Sequence, residues 1–430
     1  MAISYKKIPD DLTEITPASD DNVLMTDASD AHKLAKVPYN AFFINTIIEA
    51  DISSCTWDQI NDVYSGNPFA TEAHKAMRRC VINNQGEVQY YLNAYDSTLK
   101  EDGVTASVLD GTDGQVVVEI LPVWVKTTWN GDIVTWELSG SSFSGAVLHP
   151  AFDSGNVQKI FIGAYDASVK DVSAGAYIGG LNLDNNTSRV DTTTDLIASV
   201  SGQYPMVGLT RAEFRTLAEN AGYQLEDFWQ RQLVTLLYLT EYGNWNSQNV
   251  IGEGNVNGVY LASSSIQSDS PHTIAGTSNS LGNQTGNVNS ADGTPFVSYR
   301  GIENPWGNCY TWLDGFNIYD RQIYVNNDET TFVDDTATNY TVLGAALPST
   351  NGYIKQIQKL DNIVIPLTTG GTSGVFVTDY LYTSTGWRVA RAGGAASLGL
   401  SAGLAYLTLS VSSAGRTRSC GARLSKKYRI

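Results

Sequence analysis

Cysteine is scarce in this 430-residue chain: four residues, Cys55, Cys80, Cys309 and Cys420, far apart and with no C-x-x-C pair. That spacing excludes a zinc ribbon and a dense disulfide frame, and it leaves buried thiols as the plain expectation. Histidine is equally sparse, at His32, His74, His149 and His272, with no H-E-x-x-H among them. No G-x-S-x-G nucleophile elbow occurs either. No apolar run approaches the ~20 residues of a membrane span, so no membrane insertion is expected. Met1–Pro17 lacks the apolar core of a signal peptide, so export by a leader is not expected.

Charge is also thin, at 17% of residues, and it is unevenly placed. From Tyr380 to Ile430 there is no Asp or Glu, against eight Lys and Arg. A total of −17 therefore leaves −25 on residues 1–379. An acidic bulk of that size repels phosphate, so a nucleic-acid partner is not expected. The basic end is expected to pair with acidic faces of its own chain or of a neighbouring subunit.

What the chain has in plenty is Gly, 39 residues, and Tyr, 23. With abundant Asn they point to β-rich architecture with many tight turns. Residues 1–50 stand apart: seven of the first thirty are acidic, and an extended arm closing in a short helix over "NAFFINTIIEA" (40–50) is expected. Residues 51–200 form a β-rich segment, with strands over "GQVVVEILPVWV" (114–125) and Lys159–Tyr165. Val116, Val118 and Ile120 share one strand face, with Val117 and Leu121 on the other. Two helices follow. Thr210 and Glu213 make a capping box ahead of Phe214, Leu217 and Ala218, with Gly222 as the stop. The second, over Leu225–Tyr242, has a wide apolar stripe and ends at Gly243. Residues 243–294, half Gly, Asn and Ser, read as irregular loops packed on a core. Strands are expected again at 374–382, 387–391 and 403–411. In the last, Ala405, Leu407, Leu409 and Val411 face the core, and Leu404, Tyr406, Thr408 and Ser410 face outward.

Three signatures lie in order: a helix ending in Glu241-Tyr242-Gly243, then "GIENPWGNCYTW", then "WRVARAGG…SAGLAYLTLS…RTRSCGARL". This order resembles the C-type-lectin-like domains related to formylglycine-generating enzymes. It is most similar to tail-fibre and receptor-binding proteins of bacteriophages, including the variable proteins of diversity-generating retroelements. The scaffold positions of that resemblance are Gly307, Asn308, Tyr310, Trp312, Gly393, Gly394, Gly421, Arg423 and Leu424. "LHPAF" and "IGAYDAS" extend it over roughly residues 75–430, and "DDNVLMTDASDAHKLAKV" is similar to attachment segments of phage structural proteins. Departures are Tyr310 in place of Trp, Ala395-Ala396 in place of Ser-Trp, and Cys309 and Cys420 in place of aliphatic residues. Whether those two cysteines pair stays open.

The resemblance implies an α+β, C-type-lectin-like fold with long irregular loops over 201–430. Enzyme chemistry is not carried over, because the stretch from Trp387 to Ser419 has no cysteine to supply a thiolate. Glu303-Asn304-Pro305 and Trp245-Asn246-Ser247 depart from the lectin calcium motifs, so no metal ligands are assigned, and a structural calcium in the Asn/Asp-rich loops stays open. No cofactor is expected. The implied ligand face comprises Ser397, Leu398, Leu400, Leu404, Tyr406, Thr408, Ser410, Ser412, Arg416 and Thr417. The expected function is a phage tail-fibre or baseplate adhesin that binds a bacterial surface glycan or protein. Its N-terminal arm would dock on other virion proteins, and it would be a homotrimer, made in the host cytoplasm and carried on the virion. A head-fibre or collar decoration protein is the alternative. Glu303 and Asp314 are expected to tie loops rather than transfer protons.

Overall fold

The structure, a computed structural model, describes residues 22–26, 34–38, 46–51, 56–58, 72–155, 157–375 and 377–429. It is mixed α+β, mostly strands, with two helices longer than a few residues.

A six-stranded sheet organises the chain, in the order Gln224–Leu225, Leu424–Arg429, Val157–Gly163, Gln115–Ile120, Arg78–Ile82, Val88–Tyr91. Its inner strands are apolar on both faces for a reason. Val116, Val118 and Ile120 belong to one hydrophobic cluster and Val117 to another, as do Ile160 and Ile162 against Phe161. One helix covers each side. Arg211–Asn220 places Phe214, Leu217 and Ala218 in the second cluster, and Phe228–Tyr242 places Phe228, Leu233, Leu236 and Leu237 in the first.

Both helices start as local chemistry dictates. Thr210 accepts the Glu213 amide while the Glu213 carboxylate accepts the Thr210 amide, a complete capping box. Asp227 and Gln230 repeat the device at the second helix, which ends at Gly243 in the left-handed region. This helix begins at Phe228 rather than Leu225, because Leu225 pairs with Leu424 as a strand. All its residues from Phe228 to Glu241 are buried.

A five-stranded sheet sits beside this unit, with Thr46–Asp51 paired antiparallel to Ile133–Ser139. The expected helix over 40–50 is thus corrected at its second half. "TII" is a β-branched run, and a partner strand over 80 residues downstream uses it. The rest of that expectation, and most of the N-terminal arm, lies outside the described residues; Asn22–Thr26 and Leu34–Pro38 pair as a hairpin.

The largest sheet runs Thr341–Ala346, Gln322–Val325, Tyr310–Tyr319, Trp387–Ala392, Leu407–Val411, Tyr380–Tyr382, Gly352–Ile357, Pro366–Thr369, with Cys420–Gly421 added to Tyr310–Thr311. The strand expected over 374–382 is confined to its last three residues. Asp379 turns instead to backbone capping, accepting the Ala405 amide at 2.7 Å. The loops of 243–294 are packed, with Trp245, Ile251 and Val256 buried, and the irregular path expected there is broken by a helical turn at Ser247–Val250 and a strand at Gly286–Asn289 paired with Pro295–Tyr299.

Candidate functional site

The "GNCYTW" stretch turns at Gly307 and Asn308, with φ of 75° and 57°. A side chain at 307 would meet the Asn255 carbonyl at 2.8 Å, so only glycine fits. Asn308 then donates to Asp166 at 2.8 Å, and its carbonyl accepts the Ala396 amide at 3.0 Å. This turn therefore holds the double-glycine loop. Gly393 and Gly394 both have positive φ, and a Cβ at 394 would lie 2.7 Å from that of Ala402. Gln248 fastens the far side of the loop through the Gly399 and Ala402 carbonyls.

Glu303 and Asp314 behave as ties. Glu303 accepts the Gly276 and Ser278 amides. Asp314 takes Arg215 at 2.6 Å, while Arg211 donates to the Leu313 and Phe316 carbonyls across a bulge in the same strand. Cys80, Cys309 and Cys420 are buried free thiols. Burial pushes Cys420 up to about 12 and Cys309 well up, so neither is a thiolate at neutral pH. The basic end of the chain is largely consumed internally: Arg423 pairs with Asp166, Lys427 with Asp227 and Glu329, Arg429 with Glu329, and Arg416 with Glu213.

The predicted ligand face divides. Ser397, Leu400, Ser410 and Ser412 are exposed, and Leu398, Arg416 and Thr417 are half-buried. Leu404, Tyr406 and Thr408 are buried, at 3, 1 and 1% exposure, which corrects the expectation that they face solvent. Tyr406 and Thr408 do lie opposite Leu407 and Leu409, as alternation requires. Their face is roofed by its own neighbours, since Tyr406 packs against Tyr310 at 5.8 Å and Tyr382 at 6.3 Å. Leu404 precedes the strand and joins the core. Val411, expected on the core side with Leu409, crosses to pair with Val389 because the strand carries an irregularity there.

What the sheet presents instead is a row of tyrosines. Tyr353 meets Tyr380 at 5.0 Å, Tyr380 meets Tyr382 at 4.6 Å, and the row continues through Tyr406 to Tyr310. Tyr310, Tyr353, Tyr380 and Tyr382 are all half-buried. Hydroxyls border them: Tyr353 Oη lies 3.2 Å from Ser401 Oγ, and Thr408 Oγ1 lies 3.0 Å from Ser410 Oγ. Tyr353, Tyr380, Tyr382 and Arg391 were not among the predicted site residues, and Tyr310 was placed in the scaffold. The "YLY" repeat at 380–382 was the available signal.

Arg391 closes the row. Its guanidinium stands 4.4 Å from the centre of the Tyr310 ring and 5.7 Å from that of Trp312, and lies against the Cys420 thiol. It is 8% exposed, its Nε has no hydrogen-bond partner, and among the described residues no carboxylate pairs with it. Stacking of this kind offsets about 2 kcal/mol, less than the several kcal/mol that a buried, unpaired cation costs.

A cavity of about 330 Å³ lies elsewhere, lined by Lys75, Arg78, Tyr95, Glu101, Asn283 and Arg300 among others. Its arginines are already engaged, Arg78 with Glu101 and Arg300 with Glu241. Among the described residues no group of three or more His, Cys, Asp or Glu is placed to hold a metal ion, and no helix is long and apolar enough to cross a membrane. No known family model matches the chain, and comparison with curated proteins finds no match.

Proposed function

We propose that this chain is a phage virion adhesin, a tail-fibre or baseplate protein that binds a bacterial surface receptor through the tyrosine-lined face of its C-terminal half. The observation that carries this reading is the row of half-buried tyrosines on a sheet whose other face is core. Tyrosine offers large amphipathic contact area at low entropic cost, and a rigid platform keeps it pre-organised. The exposed loop tip, Ser397 and Leu400, flanks the row and is fixed by two glycines and Gln248. The ordered motifs around Gly307-Asn308, Gly393-Gly394 and Gly421–Leu424 support a C-type-lectin-like fold for 201–430. On this reading the N-terminal arm docks on other virion proteins, a homotrimer multiplies weak contacts by avidity, and the protein performs no catalysis.

A second aromatic group favours the alternative of a head-fibre or collar protein. Trp387 meets Tyr319 at 5.0 Å and Tyr324 at 5.7 Å near the sheet edge, beside the exposed Val342, a surface suited to contact between subunits.

Fluorescently labelled full-length protein, tested on cells of a panel of bacteria and in competition with infection by the phage, separates the two. The adhesin decorates susceptible cells and blocks adsorption, and Tyr380→Ala with Tyr382→Ala reduces decoration at least tenfold at unchanged melting temperature. Protein that decorates no susceptible strain yet assembles on virions overturns the adhesin in favour of the decoration protein.

A further inference from the structure

We infer that the tyrosine row ends in an anion subsite at Arg391, and that the receptor recognised there is an acidic saccharide. This rests on the adhesin reading and names its ligand chemistry. Among the described residues, the other buried arginines have partners for their guanidinium N–H groups: Arg79 donates to the Gly301 carbonyl and to Ser97, Ser278 and Asn279, and three others face carboxylates. Arg423 faces Asp166, Arg231 faces Glu226, and Arg211 faces Asp334. Arg391 is nearly as enclosed, at 8% exposure against 0–3% for those four, yet among the described residues its neighbours are two aromatic rings and a neutral thiol, with no carboxylate or carbonyl partner. Its Nε is buried without an acceptor.

A guanidinium in this state is pre-organised for a carboxylate or phosphate, since its fork matches either oxyanion and little ordering remains to be done. An arriving anion supplies the missing charge while the Tyr310 ring keeps the guanidinium in place. The rest of the surface selects a saccharide. Tyr382, Tyr380 and Tyr353 lead away from Arg391 with ring centres 4.6–5.0 Å apart, the first pair tilted by 38° and the second edge-to-face at 78°. Such a row offers alternating faces and edges on which the apolar faces of sugar rings in an extended chain can rest. Ser410 and Ser401 place hydroxyls beside the row for sugar hydroxyls, with the buried Thr408 holding Ser410 in place. An acid on the terminal or first sugar then reaches Arg391.

The oxyanion has two sources on bacterial surfaces, a uronic-type carboxylate or a backbone phosphate, and calorimetry on the full-length chain distinguishes them. Three probes are titrated: an oligogalacturonate, a phosphodiester-linked oligosaccharide and a neutral dextran oligosaccharide of matched length. One acidic probe is expected to bind at least tenfold more tightly than dextran, weakening as salt rises, and Arg391→Met is expected to abolish that preference while Arg391→Lys keeps part of it. The acidic probe that binds identifies the source. Equal affinity for all three probes, an unchanged preference in a folded Arg391→Met, or no binding of either acidic probe overturns the inference. If Arg391→Met fails to fold, Thr408→Val and Tyr382→Ala take its place, and acidic-probe binding unchanged in both overturns it equally. Cell decoration measured alongside separates the two levels. Decoration that persists without acidic-probe binding leaves the adhesin standing with Arg391 as a strut, whereas loss of both removes the adhesin as well.

Discussion

Asp379 shows how one buried group shapes the loop above it and the pH response of the whole. It is enclosed beneath Gly403, where any side chain would lie 2.0 Å from its carboxylate, and it accepts the Ala405 amide. Burial raises its pKa to about 8, with the Ala405 and Tyr406 amides pulling the other way, and Tyr238 beside it stays neutral. The folded chain therefore keeps a proton that the unfolded chain has lost above about pH 4. Stability from this group falls as pH rises towards 8, by at most ~1.4 kcal/mol per unit. His74, His149 and His272 act in the opposite sense: burial lowers them to about 4, 3 and 3, so their contribution is complete only well above pH 6.5 and is lost as pH falls. At pH 6.5 the histidines of the unfolded chain are still half protonated, so over the range 6.5 to 8 they raise stability while Asp379 lowers it. Urea unfolding of wild type beside Asp379→Asn separates the two: wild-type stability should fall relative to that of Asp379→Asn as pH rises from 6.5 to 8. A difference between the two proteins that stays constant over this range would sink the assignment.

At the scale of elements, what was legible in the sequence was what local chemistry decides. Thr210 and Glu213 cap a helix with or without the rest of the protein, and Gly307-Asn308 turns wherever it stands. The misplaced features all depend on distant partners. Leu225 is a strand residue because of Leu424, Thr46–Asp51 because of Ile133–Ser139, and Tyr406 is covered because Tyr310 and Tyr382 flank it. Alternation told which way Tyr406 and Thr408 point but not what lies above them. The same limit hid the second duty of Glu213. Besides closing the capping box it accepts Arg416, from the loop after Leu407–Val411, at 3.1 Å. Thr210→Ala should cost about 1 kcal/mol, the ordinary loss of a cap. Glu213→Ala should cost more, and it should also free the loop. Limited trypsin digestion of the native protein ought to cut after Arg416 faster in Glu213→Ala than in Thr210→Ala. Equal rates would mean that the ion pair does not hold the loop.

At the scale of the molecule, Arg423 is where the early strands, the "GIEN" segment and the chain's end meet. Its guanidinium donates to the Gly163 carbonyl, to Asp166, and to the Glu303 and Asn304 carbonyls, all between 2.8 and 3.1 Å. The next residues, Leu424–Arg429, form a strand lying between Val157–Gly163 and Gln224–Leu225, so the last part of the chain completes a sheet begun by the first. Segments more than 250 residues apart thus share one buried charge pair, and folding cannot finish locally. Asp166 depends on that pair. Burial already lifts it to about 6 against the pull of Arg423 and Asn308. Replacing Arg423 by Met removes the compensating charge while keeping the bulk, and leaving a buried carboxylate unpaired costs about 3–5 kcal/mol. The double change with Asp166→Asn removes the stranded charge too, and should recover part of the loss. Far-UV and near-UV circular dichroism followed through urea unfolding test both points. The two signals should move together to lower urea in Arg423→Met, and the double variant should fall between it and wild type. A shift in one signal alone would show that the halves joined at Arg423 unfold independently.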